Sequence, residues 1–500
     1  MGGDGLGSLS TIIGRHGPAS RGCLETKFLF AHGQDANVWI MSSEGLAAAR
    51  QKMADGGVHQ LAIDVFAHYY GQLETGATGA IHETDIEPLS DIGHAGMLRA
   101  GEDDKRAAAS VTAVIKLNGG LGTTMGMSQA KTLLEVRPGV TFLDVIVGQV
   151  RQLRHRYDVP LPVLFMNSFR TRDDTRSALA AYPDLTVPGL PLDFLQNREP
   201  KLRVDTLAPV EWPADPSLEW CPPGHGDLYT ALAASGLLDR LLAQGFEYAT
   251  VSNADNLGAA PDPAMMAWFA ASGAPYAAEV CRRTPADVKG GYLVIRRDDG
   301  RLVLRETAQT AAEDAEAAAD LIRHRYFHTN NLWIDLRALK AALIARKGVL
   351  GLPLIRNEKN VDPADPASPR VVQIETAMGA AVEVFDGAIA IEVSRSRFLP
   401  VKTTNDLLLL RSDAYAIEDD FQVHSRGVDP PIIRLDDRFY RTIAEFDARF
   451  PMAPSLVGAK SLTVHGDWKF GAGVIVTGEA VLDDLGRPAS VAPATALGQG

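Results

Sequence analysis

A glycine-rich loop followed by a lysine is the part of this sequence whose residue types could do chemistry. The loop reads KLNGGLGTTMG at 116–126 and holds four glycines between Gly119 and Gly126. Because glycine has no side chain and adopts positive φ freely, successive backbone amides in such a loop can point at phosphate oxygens. Lys131 follows a few residues later and can reach back to the same phosphates. The segment therefore has the character of a phosphate-binding loop.

Two better-known phosphate loops fit this segment poorly. It lacks the GxxxxGK[ST] pattern of ATPase P-loops. It does contain GxGxxxG, a loose dinucleotide-binding pattern, so an oxidoreductase is still an alternative function. A Rossmann dehydrogenase, however, places an acidic residue about 20 positions further on, at the end of the second strand, and here that strand runs into Asn167 and Ser168. A glycine-rich turn that binds nothing is the remaining alternative.

Asp255 is the best candidate for a metal ligand. It follows a strand predicted at Tyr248–Ser252, at the edge of the sheet where ligands bind. Magnesium prefers oxygen ligands, often one or two carboxylates completed by waters and substrate phosphates. The alternative is that Asp255 caps a turn, as aspartate often does.

Two other candidates are a histidine and a lysine in separate loops. His225 lies in PPGHGD, and its neutral imidazole could donate to a phosphate or hydroxyl group, or it could be bonded to backbone. Lys402 follows Arg395 and Arg397, and three cations within eight residues of an acidic protein indicate either an anion site or a solvated charge cluster.

The elements that must position these residues alternate between strands and helices. Strands are predicted at Val111–Leu117, Val163–Met166 and Tyr248–Ser252. Four helices are predicted, namely one whose face is Phe142, Val145, Ile146, Gln149 and Leu153, one opened by Thr171 with Asp174 as a partial capping box, one from Asp227 to near Gly245, and an exposed one at Ala311–Ala319. This order predicts an α/β fold with a mostly parallel sheet covered by helices.

The chain divides into four predicted segments. Residues 1–40 read as a weakly structured tail, since seven glycines fall in the first 22 positions, and we expect the physiological start at Met41. Residues 41–105 are predicted to form an N-terminal helical region, and 106–450 the main domain that holds the glycine loop and the other candidate residues. After about Phe450, short apolar runs separated by glycines predict a small β-helix-like domain at 451–500.

Composition excludes several classes of protein. The net charge of -13 over 500 residues argues against nucleic-acid binding, which needs a basic face. We expect no membrane association, because no apolar run is long enough for a membrane helix and no signal peptide is visible. Three cysteines without metal-site spacing argue against disulfides and zinc and are typical of a cytoplasmic protein.

Together the motifs resemble the eukaryotic-type UTP:glucose-1-phosphate uridylyltransferases, also called UDP-glucose pyrophosphorylases. The matching stretches run in family order from about Met41 to beyond Gly471. They are KLNGGLGTTMG (116–126), FLDVIVGQV (142–150), LFMNSFRTRDDT (164–175), CPPGHGDLY (221–229), VSNADNLGA (251–259), ADVKGG (286–291), NNLWIDL (330–336), QIETAMGAA (373–381) and RSRFLPVKTTNDLLLL (395–410).

The resemblance implies a doubly wound, Rossmann-like nucleotidyltransferase domain and a C-terminal left-handed β-helix, whose edge could pair subunits into a homo-oligomer. It also implies a magnesium-dependent reaction of UTP with α-D-glucose 1-phosphate that yields UDP-glucose and pyrophosphate.

The resemblance assigns most of the site residues. Lys131 and Lys402 would be the catalytic cations, and Asp255 would hold Mg²⁺. UTP would be bound by Leu117, Asn118, Gly119, Gly120, Lys131, Gln196, Gly224, Asp255 and Lys402. The sugar phosphate would be bound by Gly119, Gly120, His225, Asn253, Ala254 and Asp255. Glu306, Asn330 and Asn331 are added because carboxylates and amides suit sugar hydroxyls, with structural pairing as the alternative.

One departure and three rival functions accompany this prediction. The family usually has a proline before the loop lysine, where this chain has Ala130, and we expect a looser approach to Lys131. The nearest rival is a related pyrophosphorylase that uses galactose 1-phosphate or N-acetylglucosamine 1-phosphate. The others are the oxidoreductase above and a regulator that binds UTP without catalysis.

Overall fold

The computed structural model describes residues 35–76, 79–284, 287, 290–427 and 430–498, with side chains from Glu44 onward. Of the tail predicted at 1–40, residues 1–34 lie outside the described residues, as does part of the stretch 286–291, whereas residues 35–40 belong to the helix Asp35–Asp55. The described helices are Asp35–Asp55, Gln60–Glu74, Glu102–Ser110, Phe142–Tyr157, Arg172–Leu179, Leu228–Ala234, Leu237–Ala243, Pro263–Ser272, Ala315–Ala319, Leu336–Ala345, Thr404–Arg411, Asp437–Tyr440 and Ile443–Arg449.

A large mixed sheet forms the centre of the chain, and within the described residues it has 11 strands. Its main path runs in the order Gly93–His94, Ile389–Glu392, Tyr276–Arg282, Tyr326–Asp335, Tyr248–Asn253, Thr112–Asn118, Val163–Asn167 and Asp193–Leu195. Ile86–Pro88, Tyr292–Arg296 and Leu302–Arg305 extend it to one side. The strand Tyr326–Asp335 runs antiparallel to both of its path neighbours, and the other neighbouring pairs on the path are parallel.

The predicted mostly parallel α/β sheet is thus confirmed, and helices cover both of its faces. Alternate residues of the strand Thr112–Asn118 enter opposite cores, with Val114 in one and Ile115 in the other. The helix Phe142–Tyr157 packs into the first core, and Leu228–Ala234 packs into the second. The carboxyl ends of Thr112–Asn118 and Tyr248–Asn253 pair in parallel register, so their following loops lie side by side.

Local sequence explains the helix Phe142–Tyr157. Thr141 and Asp144 form a capping box, in which the Thr141 amide donates to Asp144 Oδ2 at 2.7 Å and the Asp144 amide donates to Thr141 Oγ1 at 3.2 Å. The helix ends at Asp158, which has a left-handed φ of 51°. The predicted apolar face is buried as expected.

Three of the helix predictions need correction. The helix expected from Asp227 to Gly245 is two helices, because Gly236 takes a positive φ of 67° between them. The run 311–319 begins with a 3₁₀ turn and is α-helical only at Ala315–Ala319. The predicted capping box of Thr171 does not form, because its hydroxyl donates to the Asn118 carbonyl at 2.7 Å and Asp174 binds the amide of Ala130.

Small sheets complete the part of the chain before the C-terminal strands. The strand pairs are Glu135–Arg137 with Val140–Thr141, Glu199–Pro200 with Trp220–Cys221, and Tyr415–Ile417 with Val423–Ser425, and one three-stranded sheet joins Ile355–Asn360, Arg370–Glu375 and Leu202–Arg203. Cys221 and Cys281 are free and buried, while Cys23 lies outside the described residues. Among the described residues, no helix has the length and apolarity to cross a membrane.

The C-terminal part is built from short parallel strands. Ser455–Val464 pairs in parallel with Ile432–Leu435 and with Ile475–Leu482, which in turn pairs with Ala496–Leu497. A second parallel pair joins Trp468–Phe470 and Ala489–Val491. Stacked parallel rungs of this kind are expected of a β-helix-like domain.

Aromatic packing joins the C-terminal rungs to the rest of the chain. The rings of Phe450 and Phe470 stack with centroids 4.5 Å apart, and the Tyr440 hydroxyl donates to the Trp468 carbonyl at 2.7 Å. These residues belong to the same apolar cluster as the helix Phe142–Tyr157, so the C-terminal rungs share a core with the central sheet.

We expect Phe450→Ala to lower the free energy of unfolding by about 3–5 kcal/mol, because it leaves a cavity between buried rings. Urea denaturation followed by fluorescence would measure this change. The matched control is Met452→Ala nearby, whose side chain is 57% exposed, and which should change stability by less than about 0.5 kcal/mol. Equal effects of the two substitutions would contradict a shared core.

Candidate active site

The glycine loop is anchored by the buried side chain of Asn118. Its Nδ2 donates to Asn167 Oδ1 and to Thr175 Oγ1, each at 2.8 Å, and its Oδ1 accepts from Thr132 Oγ1 at 3.0 Å. Because these bonds occupy the carboxamide, Asn118 holds the loop at the end of its strand.

Two predicted loop contacts lie close to one another. A side chain at Gly119 would place its Cβ 3.0 Å from Gln196 Oε1, so the loop and Gln196 approach closely. Gln196 Nε2 donates to the carbonyl of Gly224 at 2.7 Å. The structure therefore brings Gly119, Gln196 and Gly224 together, as the sequence predicts.

Lys131 reaches from beyond the glycine loop to Asp255. The amine Nζ lies 2.8 Å from Asp255 Oδ2, and the two side chains are 13% and 21% exposed. The Lys131 amide also donates to the carbonyl of Gly120 at 3.2 Å, which folds the chain back onto the loop.

Ala130, the departure from the usual proline, is fixed by a bond that proline could not make. Its amide donates to Asp174 Oδ2 at 3.1 Å, and its φ of -56° lies in the range that proline takes. We expected a looser approach to Lys131, and the structure instead shows a fully buried Ala130 held by a side chain.

Lys402 is brought to this site by backbone contacts. The Ala254 amide donates to the carbonyl of Leu117 at 2.9 Å, which seats the Asp255 loop beside the glycine loop. The Val401 amide donates to the carbonyl of Asp255 at 3.2 Å, and Asn256 forms an isolated bridge with Pro400. Lys131, Asp255 and Lys402 therefore converge at one sheet edge.

His225 is held neutral, and no described residue bonds its second ring nitrogen. Its Nδ1 accepts from the Met378 amide at 2.9 Å, so the ring proton is on Nε2. Burial, together with the charge of Lys402, lowers the pKa of His225 to about 4. Gly224 and Gly226 make the loop possible, because a Cβ on either would lie within 3 Å of Thr376.

The three sugar candidates differ in how free their side chains are. The carboxylate of Glu306 makes no hydrogen bond to the described residues, and burial raises its pKa against the opposing charge of Lys402. Asn330 has a left-handed φ of 59°, and its Oδ1 lies 3.1 Å from Nδ1 of the buried His328. Asn331 is buried and donates to Glu279 Oε2 at 3.0 Å, so the alternative of structural pairing describes its side chain.

Of the three neighbouring cations from which an anion site is predicted, only Lys402 is without an ion-pair partner among the described residues. Arg395 pairs with Asp287 at 2.6 Å and Arg397 pairs with Glu279 at 2.8 Å, so both arginines are neutralised within the protein. In the part of the chain that the structure describes, the Lys402 amine has no ion-pair partner.

Comparison with known proteins identifies the family of the chain. The family model described as UTP--glucose-1-phosphate uridylyltransferase matches residues 63–477. The chain belongs to this family. A uridylyltransferase of that name from Hordeum vulgare is 41% identical over 384 residues, covering 76% of this chain and 79% of its own. The Saccharomyces cerevisiae protein of the same name is 41% identical over 380 residues, covering 75% and 74%.

Solved structures of similar proteins agree. A UDP-glucose pyrophosphorylase from Leishmania major, solved in open and closed forms, is 40% identical with a TM-score of 0.85, covering 91% of this chain and 98% of its own. A UDP-glucose phosphorylase from Trypanosoma brucei has a TM-score of 0.84 at the same identity and coverage.

One buried lysine beside this site was not singled out from the sequence. Lys116, on the strand before the glycine loop, is buried and donates to Ser252 Oγ at 2.8 Å and to the Ala259 carbonyl at 2.7 Å. Burial, with a smaller contribution from Arg397, lowers its pKa to about 7 despite the opposing charge of Glu279. A lysine inside an otherwise apolar strand is the signal that could have found it.

The buried His328 predicts a pH dependence of stability. Burial lowers its pKa from 6.5 to about 4 in the folded protein. Between pH values of about 4 and 6.5, the unfolded chain therefore binds a proton at His328 that the folded protein does not bind, and the free energy of unfolding falls as the pH drops through this range. We expect His328→Gln to reduce the slope of unfolding free energy against pH in this range by about one proton.

Urea denaturation at several pH values between about 4.5 and 6.5 would measure the slopes. His424→Gln, at an exposed position, is the matched control and should keep the wild-type slope. An unchanged slope in His328→Gln would show that the buried His328 imidazole takes up a proton as readily as it does in the unfolded chain.

Proposed function

We propose that this chain transfers the uridylyl group of UTP to α-D-glucose 1-phosphate and releases pyrophosphate. The observation that supports this most is the convergence of Lys131, Asp255 and Lys402 beside a glycine loop, in a chain of the uridylyltransferase family. Two polyanions must meet in this reaction, and cations with oriented amides suit that task.

The nucleotide would lie along the glycine loop. Leu117, Asn118, Gly119 and Gly120 would bind UTP. The amides of the two glycines, which follow the strand Thr112–Asn118, would face the phosphates, with Lys131 and Lys402 beside them. Because Gln196 Nε2 is occupied by Gly224, its Oε1 is left as an acceptor for the N3–H of uracil.

The sugar phosphate would lie on the opposite side of the α-phosphorus. The proposed contacts are Gly119, Gly120, His225, Asn253, Ala254, Asp255, Glu306, Asn330 and Asn331. His225 would donate from Nε2, and Glu306 would accept from a hydroxyl group. Asn331 would act through its backbone or its neighbours, since its carboxamide is already bonded to Glu279.

The reaction needs position and charge more than proton transfer. A phosphate oxygen of glucose 1-phosphate attacks the α-phosphorus of UTP in line, the bond to the leaving pyrophosphate breaks, and its electron pair departs with the pyrophosphate. No general base is needed, because the attacking phosphate is already ionised near neutral pH. Lys402 would stabilise charge on the transferring group, and Lys131 would hold the leaving phosphates.

The residues present fit a magnesium ion whose remaining ligands come from the substrate phosphates and water. No group of three or more acidic, histidine or cysteine side chains in the described residues is arranged to hold a metal alone. Asp255 offers one partly exposed carboxylate, and magnesium usually takes one or two carboxylates together with phosphates and waters. The ion would supply positive charge to the phosphates, with Asp255 as its protein ligand.

We further propose that the parallel C-terminal rungs form a left-handed β-helix, that this domain pairs subunits, and that the enzyme is cytoplasmic. Parallel rungs between Ile432 and Leu497 support the first of these proposals. The net charge of -13 supports the expectation of no nucleic-acid partner.

A coupled pyrophosphate assay tests the proposed function. We expect turnover with UTP and glucose 1-phosphate, loss of turnover with EDTA and recovery with added Mg²⁺, and little turnover with ATP. Higher kcat/KM with galactose 1-phosphate or N-acetylglucosamine 1-phosphate would point to a related pyrophosphorylase. UTP binding by calorimetry without any turnover would indicate a regulator, and nicotinamide reduction an oxidoreductase.

Lys131→Ala and Lys402→Ala should each lower kcat by about 10²–10³, because each removes a cation aimed at developing charge. Lys402→Ala should hardly change the urea midpoint, since Lys402 is exposed, whereas Lys131→Ala also leaves Asp255 unpaired and should lower the midpoint modestly. Lys105→Ala is a matched control at an exposed ion pair with Glu102 and should keep normal kcat. Near-normal kcat in either site variant would remove that lysine from the mechanism.

A further inference from the structure

A fully buried carboxylate lies behind the proposed site without reaching it. Glu279, on the strand Tyr276–Arg282, has a side chain that is 0% exposed. Arg397 donates to both of its oxygens at 2.8 Å, from Nε to Oε2 and from Nη2 to Oε1. Asn331 Nδ2 and the indole of Trp333 donate to it at 3.0 Å each. With four donors, Glu279 has no oxygen lone pair left for a substrate.

The backbone of Arg397 connects this ion pair to the loop that carries Asp255. The Arg397 carbonyl accepts from Asn256 Nδ2 at 3.0 Å and from Asn331 Nδ2 at 3.2 Å. Asn256 Oδ1 then accepts from the Leu399 amide at 2.8 Å. The segment 397–401 is thus fastened to the residue that directly follows Asp255.

Two further contacts complete this fastening. The Val401 amide bonds to the Asp255 carbonyl at 3.2 Å, one residue before Lys402. A Cβ at Gly258 would lie 2.2 Å from the Ser396 carbonyl, so only glycine allows the two segments this close.

We propose that Glu279 is a positioning residue that fixes Lys402 against the Asp255 loop by holding Arg397. This inference rests on the proposed function, in which Lys402 acts on the transferring group. The path runs from the Glu279 carboxylate to the Arg397 guanidinium, through the backbone 397–401, to the Lys402 side chain.

Fold stability alone does not account for the buried pair of Glu279 and Arg397, because two apolar side chains of equal volume usually stabilise a core as well as an ion pair does. Removing only one partner, in contrast, leaves an unpaired buried charge and destabilises the fold. What the ion pair adds is geometry, since two parallel N–H···O bonds fix both the distance and the angle of the arginine. A displacement of about 1 Å can lower a rate by 10²-fold.

The structure also separates this role from simple stability. Lys402 itself is exposed, and its side chain takes no part in the core. Its backbone is held on one side by the segment that Arg397 and Asn256 fasten, and on the other by its amide, which donates to Asp406 Oδ2 at 2.9 Å. A loosened segment would therefore displace the lysine while the sheet behind it stays intact.

Glu279→Gln tests this positioning role, because glutamine keeps the shape but turns one oxygen into a donor that cannot accept from Arg397. We expect kcat to fall by at least about tenfold, with KM for UTP changed by less than about threefold, because the glycine loop and Lys131 still bind the nucleotide. Glu279→Asp, which retains the charge, should recover part of the lost kcat.

A double-mutant cycle with Lys402→Ala gives the decisive readout. If Glu279 acts through Lys402, then Glu279→Gln should lower kcat by less than about twofold when Lys402 is already alanine. A general loss of folded enzyme would lower kcat by the same factor in both backgrounds, and this outcome would overturn the proposal.

The control is Glu392→Gln, which removes the ion pair between Glu392 and Arg282. Arg282 lies on the same strand as Glu279, and Glu392 lies on the neighbouring strand Ile389–Glu392. This substitution should leave kcat within about twofold of wild type, as expected of a pair with a mostly exposed partner. Failure of the proposed function is recognised separately, because wild-type protein would then release no pyrophosphate. Wild-type activity with an unchanged kcat in Glu279→Gln would defeat only the positioning role.

Discussion

The contact between the loop after Asp255 and the segment 397–401 is the constraint on which the site depends. Lys131 and Asp255 come from loops that follow neighbouring parallel strands, so the sheet alone brings them together. Lys402 belongs to neither strand. It is brought there by the bond from the Val401 amide to the Asp255 carbonyl and by the contacts of Asn256 with Arg397, Leu399 and Pro400. The sheet therefore places two of the three groups, and a contact between two loops places the third.

Charge is distributed at the site so that few cations remain uncompensated. The chain is acidic overall, with a net charge of -13, yet the stretch 395–402 carries three basic residues. Asp287 and Glu279 neutralise Arg395 and Arg397, which leaves Lys402 as the cation of this stretch for a ligand. Burial alone would raise the pKa of Glu279, but the ion pair with Arg397 and the amide and indole donors outweigh burial and hold it below its ordinary value. The arginines thus serve the architecture, and the lysine is left for the substrate.

The sequence allowed the alternating strands, the glycine loop and the candidates Lys131, Asp255 and His225 to be predicted, because each depends on local spacing or on a recognisable motif. The family resemblance added Gln196 and the role of Lys402. What could not be predicted depends on contacts between distant segments. Nothing near Thr171 shows that its hydroxyl is taken by Asn118. Likewise, only the fold shows which carboxylates neutralise Arg395 and Arg397, and so a cluster of cations in sequence overstated the anion site.

The ion pair between Lys131 and Asp255 also explains how one pocket can serve both a polyanion and a cation. Without nucleotide, each group satisfies the other at 2.8 Å, and neither charge is left partly buried and alone. In the proposed function, a triphosphate would offer Lys131 a stronger partner, and the carboxylate of Asp255 would then be free to take a divalent ion that arrives with the phosphates. Ligand and ion would each replace half of an existing interaction, so the desolvation cost of the site is largely met before binding. The amide of Ala130, bound to Asp174, keeps Lys131 placed for this exchange where a proline would have done so by its fixed φ.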